Sequence, residues 1–224
     1  MESKLFFIKV FRPLYFSVFF KYIYIMPAYQ KERLENTLLF FSQEHYKKTG
    51  KYPSQTVLYK YLAFFEFRYL EKTGIMPLEL HYKAMKNGPV PVEIYDKREQ
   101  TGAFSTVDFE TFESKTGNSG FIVKPKGKFN PDYFADAELE EMGYLIEIFA
   151  KKWVGAAVMS DASHEAILAW KKTYKKQENA IIDPIDDFKR DILSLPEKSL
   201  NSAEERFLTH RKIAELAHPA GVAQ

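Results

Sequence analysis

Residues 54–74 read SQTVLYKYLAFFEFRYLEKTG, and this stretch decides the fold. Leu58, Tyr61, Leu62, Phe65 and Tyr69 recur at the three- and four-residue steps of one helical face. Phe64 and Phe67 widen that apolar sector, so the helix is expected to be buried on more than one side. Ser54 is placed to cap the N-terminus through its side-chain oxygen. Thr73-Gly74 closes the helix, since glycine accepts the left-handed backbone of a helix end. A helix that is apolar on several sides needs several neighbours, which points to a helical domain built around it.

The flanking sequence supplies those neighbours. Upstream, Leu34, Leu38, Phe41 and His45 predict a helix over 31–47, stopped by Gly50 and Pro53. Downstream, 79–86 suggest a short helix ending at Asn87-Gly88. Pro89-Val90-Pro91 then forms a rigid elbow, with Pro91 suited to open a helix over Val92–Glu99. Phe104, Val107, Phe109 and Phe112 sit among polar residues, Lys115–Gly120 are turn-rich, and Phe121-Ile122-Val123 is β-like, which together predict a two-stranded hairpin packed on helices. Leu139, Met142, Ile146, Phe149 and Trp153 predict a helix over 137–153. A further helix, capped by Asp161 or Ser163, runs to about Tyr174, and Asp183–Leu195 suggest one more. Ser202-Ala-Glu-Glu205 spells a capping box for a last helix to about Leu216, followed by a frayed tail. The expected class is mainly α: a single helical domain with a small antiparallel β-hairpin insertion.

The first 25 residues, MESKLFFIKVFRPLYFSVFFKYIYI, have a different texture. Lys9, Arg12, Pro13 and Lys21 interrupt the run, against a spanning helix. No small-residue cleavage site follows, against a signal peptide. A membrane-associating helix, a soluble element, or translated A/T-rich DNA ahead of a start at Met26 are the remaining readings. The expected organisation is an apolar basic extension over 1–25, a domain over 26–200, and a C-terminal helix and tail over 201–224. The 224 residues are 46% hydrophobic, 28% charged and 16% aromatic, which is globular composition. A net charge of +2 gives no global argument for nucleic acid or anionic membrane as partner. The absence of cysteine excludes disulfides, thiolate metal sites and cysteine nucleophiles.

The search for chemistry finds no site. Gly117–Gly120 and Gly127-Lys128 lack the spacing of a phosphate loop. The acidic run 183–191 has no mid-loop glycine, and Phe188 and Lys189 stand where an EF-hand needs ligands. His164, beside Asp161 and Glu165, is the one candidate for proton transfer, but no serine or cysteine elbow accompanies it. Lysine clusters at 124–128 and 171–176 lie among Tyr and Phe that could stack bases, yet they are expected to be solvated faces. No catalytic residue, metal site or cofactor is assigned, and the expectation is a binding protein rather than an enzyme.

The order of residues from Leu58 to Tyr95 carries a resemblance. Lys60-Tyr-Leu-Ala-Phe-Phe-Glu-Phe67 and Gly74 precede Tyr82-Lys-Ala-Met-Lys-Asn-Gly-Pro-Val-Pro91 and Tyr95; Phe134, Glu138-Leu139, Ser163-His164-Glu165 and Trp170 follow in order. This order resembles the Panacea domain, or SocA-like antitoxin domain, often found in phage and prophage genes, over roughly 30–175. The resemblance implies a cytoplasmic, bacterial antitoxin of a toxin–antitoxin system, with a link to phage defence. It would bind a protein toxin encoded beside it, with delivery to a protease as one mode. A fixed turn at Gly88-Pro89-Val90-Pro91 would aim Tyr82 and Lys86 to one side and Tyr95 to the other, and these with His164 are the toxin-contact candidates; Gly88, Pro89 and Pro91 are expected to be structural, as are Trp153 and Trp170 on apolar helix faces. Phe64 stands where many members carry Asp. A start at Met26 leaves no room for the DNA-binding domain that some members carry upstream. The alternative is a phage-associated nucleic-acid-binding or regulatory protein. Membrane is not expected as a partner unless 1–25 are translated.

Overall fold

The computed structural model describes residues 29–113, 119–151 and 154–217. Helix α1 (Gln30–Thr49) and helix α2 (Gln55–Thr73) open it. Every residue of α2 from Val57 to Phe67 is buried, so the helix is enclosed on all sides, as its width of apolar residues predicts. Ser54 caps it by accepting a hydrogen bond from Val57 N at 3.3 Å. Gly74 ends it in the left-handed region at φ +75°, and a Cβ there would collide with the Ala203 carbonyl, so glycine serves both the helix end and a close approach of backbone. α1 presents Leu34, Leu38, Phe41 and His45 to the core, and Phe41 stacks on Tyr61 with centroids 4.8 Å apart.

The elbow region differs from the helix expected over 79–86. Tyr82–Met85 form strand β1 and Gly88–Pro91 strand β2, an antiparallel pair joined at Lys86-Asn87. The prolines set its phase. Pro89 faces Ala84 and Pro91 faces Tyr82, positions where an antiparallel ladder can do without N–H groups. Ala84 and Tyr82 then turn their backbone groups outward to a third segment: Ala84 N donates to Ala180 O (2.9 Å), Asn179 N to Ala84 O (2.8 Å) and Ile182 N to Tyr82 O (2.8 Å). The helix expected over 92–99 is one turn, α3 (Val92–Tyr95).

The second hairpin is as expected: β3 (Val107–Glu113) and β4 (Ser119–Pro125), antiparallel. Its tip, 114–118, lies outside the described residues. Helix α4 (Asp136–Phe149) stops short of Trp153, which also lies outside them. Glu138 caps α4 by accepting from Ala135 N at 2.9 Å. Phe149 stacks on Phe64 at 4.8 Å.

The helix expected from 161 to 174 is two helices, α5 (Ala156–Ala166) and α6 (Leu168–Lys176), split where buried Ile167 turns to extended backbone. The N-terminus of α6 is capped from a distance, Ala169 N donating to Asp187 Oδ1 at 3.0 Å. Residues 183–195 contain one 3₁₀ turn, Pro184–Asp187, instead of the expected helix. Asp183 and Asp191 accept bonds from Ile185 N and Leu193 N, local turns that compete with helix. Helix α7 (Ser202–Ala217) has its capping box one residue earlier than the spelling suggests: Asn201 accepts from Ala203 N and Glu204 N, and Glu204 accepts from Asn201 N. The extension over 1–25 and the end of the tail lie outside the described residues. The fold is mainly helical with two small antiparallel hairpins. Among the described residues no helix is long and apolar enough to cross a membrane.

Candidate functional site

The motif residues converge on the turn into β2. Gly88 has φ +99°, and a Cβ there would collide with Lys60 Nζ and Ser163 Oγ. Glycine is therefore required by conformation and by space. Lys60, on α2, is 1% exposed and donates to Pro89 O at 3.3 Å. Burial pulls its amine down to about 7. Ser163, on α5, is fully buried and donates to Ser160 O at 2.7 Å, so its hydroxyl is engaged within the helix rather than open to a substrate.

An aromatic column flanks this junction. Trp170 Nε1 donates to Met85 O at 3.0 Å, locking α6 to β1. The His164 ring stacks on Trp170 at 4.0 Å and 8°, and Trp170 stacks on Tyr174 at 5.0 Å and 16°. Among the described residues, buried His164 Nε2 finds no hydrogen-bond partner. Burial, and then the charge of Lys60, lowers the pKa of His164, which favours a neutral ring.

This assembly sorts the sequence-predicted positions. Gly88, Pro89 and Pro91 are buried structural residues, as is Trp170. Lys86 is exposed at the β1–β2 tip, and half-buried His164 lies at the same junction. Tyr82 is a correction: at 1% exposure it packs on Phe67 with centroids 5.4 Å apart and faces Glu66, so it is core rather than a contact residue. Alternation along β1 turns it inward, and helical spacing concealed that. Glu66, absent from the predicted positions, accepts from Leu78 N (2.6 Å) and Leu80 N (3.1 Å), and burial pushes its carboxyl up to about 8. Its one sequence signal is an acid in an apolar run.

Tyr95 belongs to a second place. The Arg98 guanidinium lies 3.7 Å over its ring and 5.8 Å from the Phe121 centroid, and also bonds Tyr95 O and pairs with Glu99 at 2.7 Å. Arg98 lines an open groove of about 700 Å³ between residues 98–104 and β3, with Phe104, Phe109 and Phe121 as its apolar lining. Among the described residues no cluster of His, Asp or Glu could hold a metal ion.

No curated protein and no solved structure matches the chain. A family model does, that of the antitoxin SocA-like, Panacea domain, over residues 58–171. The matched stretch starts inside α2, ends inside α6, and holds Lys60, Gly88, Ser163 and Trp170, which meet at one junction. The chain belongs to the SocA-like antitoxin family with a Panacea domain.

Proposed function

We propose that this protein is a cytoplasmic antitoxin that neutralises a genetically adjacent protein toxin by direct contact, without catalysis. Family membership over half the chain carries the reading. The geometry supports it. Lys60 holds the β1–β2 hairpin through Pro89 O, Ser163 packs beside Gly88 with its hydroxyl bonded inside α5, and the hairpin they abut carries an exposed tip with Lys86 at its end. A preorganised tip loses little entropy on binding. In this reading the toxin is either occluded or handed to a protease.

The test is to induce each adjacent reading frame alone and then with this protein, following growth. One neighbour is expected to be toxic alone and harmless in company. Lys86 makes no ion pair among the described residues, so Lys86→Glu is expected to weaken rescue while leaving the melting temperature unchanged. Toxicity that persists beside soluble protein overturns the reading, and a salt-dependent DNA complex would then favour nucleic-acid binding. Rescue that disappears in protease-deficient cells identifies delivery to a protease.

A further inference from the structure

We propose that the open edge of β3, with the groove beside it, seats an extended segment of the toxin, which adds to the hairpin as a third strand. The proposal rests on the antitoxin reading above and supplies it with a contact mode.

The ladder phase carries the argument. Val123 N donates to Pro53 O at 2.9 Å, away from β3. Val123 faces Phe109, so this pair exchanges no ladder bonds. Bonded and non-bonded pairs alternate along an antiparallel ladder. The bonded pairs are therefore Asp108–Lys124, Glu110–Ile122 and Phe112–Gly120. The bond from Lys126 N to Thr106 O at 2.6 Å continues the same phase. It follows that Phe109, Thr111 and Glu113, like buried Val107 before them, turn their N–H and C=O groups to the other edge. Among the described residues β3 pairs with β4 alone, whereas the far edge of β4 is covered by Pro53 and Ser54.

Open edges are commonly blunted by proline, lysine or a bulge. Val107–Glu113, VDFETFE, has neither proline nor lysine, and its register with β4 is continuous. The edge fronts the groove lined by Phe104, Phe109, Phe121 and Arg98. Main-chain bonds to a sheet edge with pockets for alternate side chains are a general mode of peptide recognition. Val107 is buried at 2% exposure, so the accessible edge runs from Phe109 to Glu113, five residues that span about 13 Å, the reach of a short added strand.

Charge chooses the occupant. Asp108 and Glu110 lie on the strand nearest the open edge, while their partners Lys126 (2.8 Å) and Lys124 (2.6 Å) lie at or beyond the far strand. A second copy of β3 would bring acid against acid, which is unfavourable. The fitting segment has apolar residues toward the groove and Lys or Arg between them.

The test uses the full chain and the toxin identified by rescue. In the free protein, amides of Phe109, Thr111 and Glu113 are expected to exchange with solvent quickly and those of Asp108, Glu110 and Phe112 slowly. The first three should become protected in the complex. Thr111→Pro removes one outward N–H and spares the β4 ladder, whereas Thr111→Ala keeps that N–H. A loss of toxin affinity of tenfold or more for the first, with less than twofold for the second, supports strand addition. Equal affinities overturn it, as do three amides already protected in the free chain or unprotected in the complex. Rescue by wild type together with any of those results leaves the antitoxin reading standing. Failure of wild type to bind any neighbour overturns both.

Discussion

Lys60 shows how one residue can be spent on architecture. In an apolar helix a lone lysine is expected to carry its charge to water. Here it is 1% exposed, and its polar contact is a carbonyl oxygen. A buried base resists protonation, so its amine titrates near 7 in the folded protein against 10.5 unfolded. Above 10.5 both states are neutral. As pH falls from 10.5 toward 7 the unfolded chain takes up a proton that the folded chain refuses, and stability is lost; below 7 the loss is complete. Lys60→Met has no such group. We predict that wild type gains roughly 3 kcal/mol on Lys60→Met between pH 7 and 9.5. Urea unfolding of both proteins at the two pH values checks this, and parallel curves would show that the amine stays hydrated. The prediction matters for function because Lys60 supports Pro89 and so the hairpin tip.

At the element scale, the β1–β2 hairpin is a strand pair whose phase is written by prolines. Lys83–Val90 is a bonded pair because its neighbours Ala84–Pro89 and Tyr82–Pro91 cannot be. Val90→Pro should remove a ladder bond and cost about 1–3 kcal/mol, while Val90→Thr should stay within about 1 kcal/mol. Denaturant midpoints with unchanged slope decide it. The Pro-x-Pro spacing was visible in the sequence, but four-residue strands are too short to show alternation, and an elbow after a helix used the same residues. Local signals were legible: Ser54, Gly74, the apolar face of α1 and the β3–β4 hairpin depend on neighbours a few residues away. Distant ones were not. The cap of α6 comes from Asp187, eighteen residues on, and the third segment against β1 comes from 179–182. At the candidate site, Gly88 and Pro89 as structural residues were legible because backbone chemistry restricts what Gly and Pro do. The burial of Tyr82 and the role of Arg98 depend on tertiary packing, which no local pattern displays.

At the scale of the whole molecule, the family match covers 58–171, yet the folded unit is larger. α2 is buried on every side, and two of its walls lie outside the match. α1 supplies Leu38 and Phe41, both fully buried, the latter stacked on Tyr61. α7 lays its backbone against Gly74, and Arg190 pairs with Glu204 of α7 to tie the preceding segment to it. Polar tethers cross the same boundary: Glu35 on α1 accepts from Ser105 N at 2.9 Å, and Arg33 pairs with Glu138 at 2.6 Å. Removing α1 and α7 would expose Tyr61 and Phe65, which pack on Phe41, and leave Glu138 without its Arg33 ion pair. A polypeptide of 58–171 should therefore show no cooperative unfolding and should bind a hydrophobic dye. In the full chain, Leu38→Ala should cost about 2–5 kcal/mol through the cavity it leaves, although Leu38 lies twenty residues before the match begins. A single denaturation transition shifted by that amount would place α1 within the same cooperative unit. A cooperative 58–171 fragment would instead make α1 and α7 accessories. Under the proposed function, neutralisation should discriminate in the same direction, because the proposed hairpin tip and sheet edge could be presented to a partner only by a core that stays closed behind them.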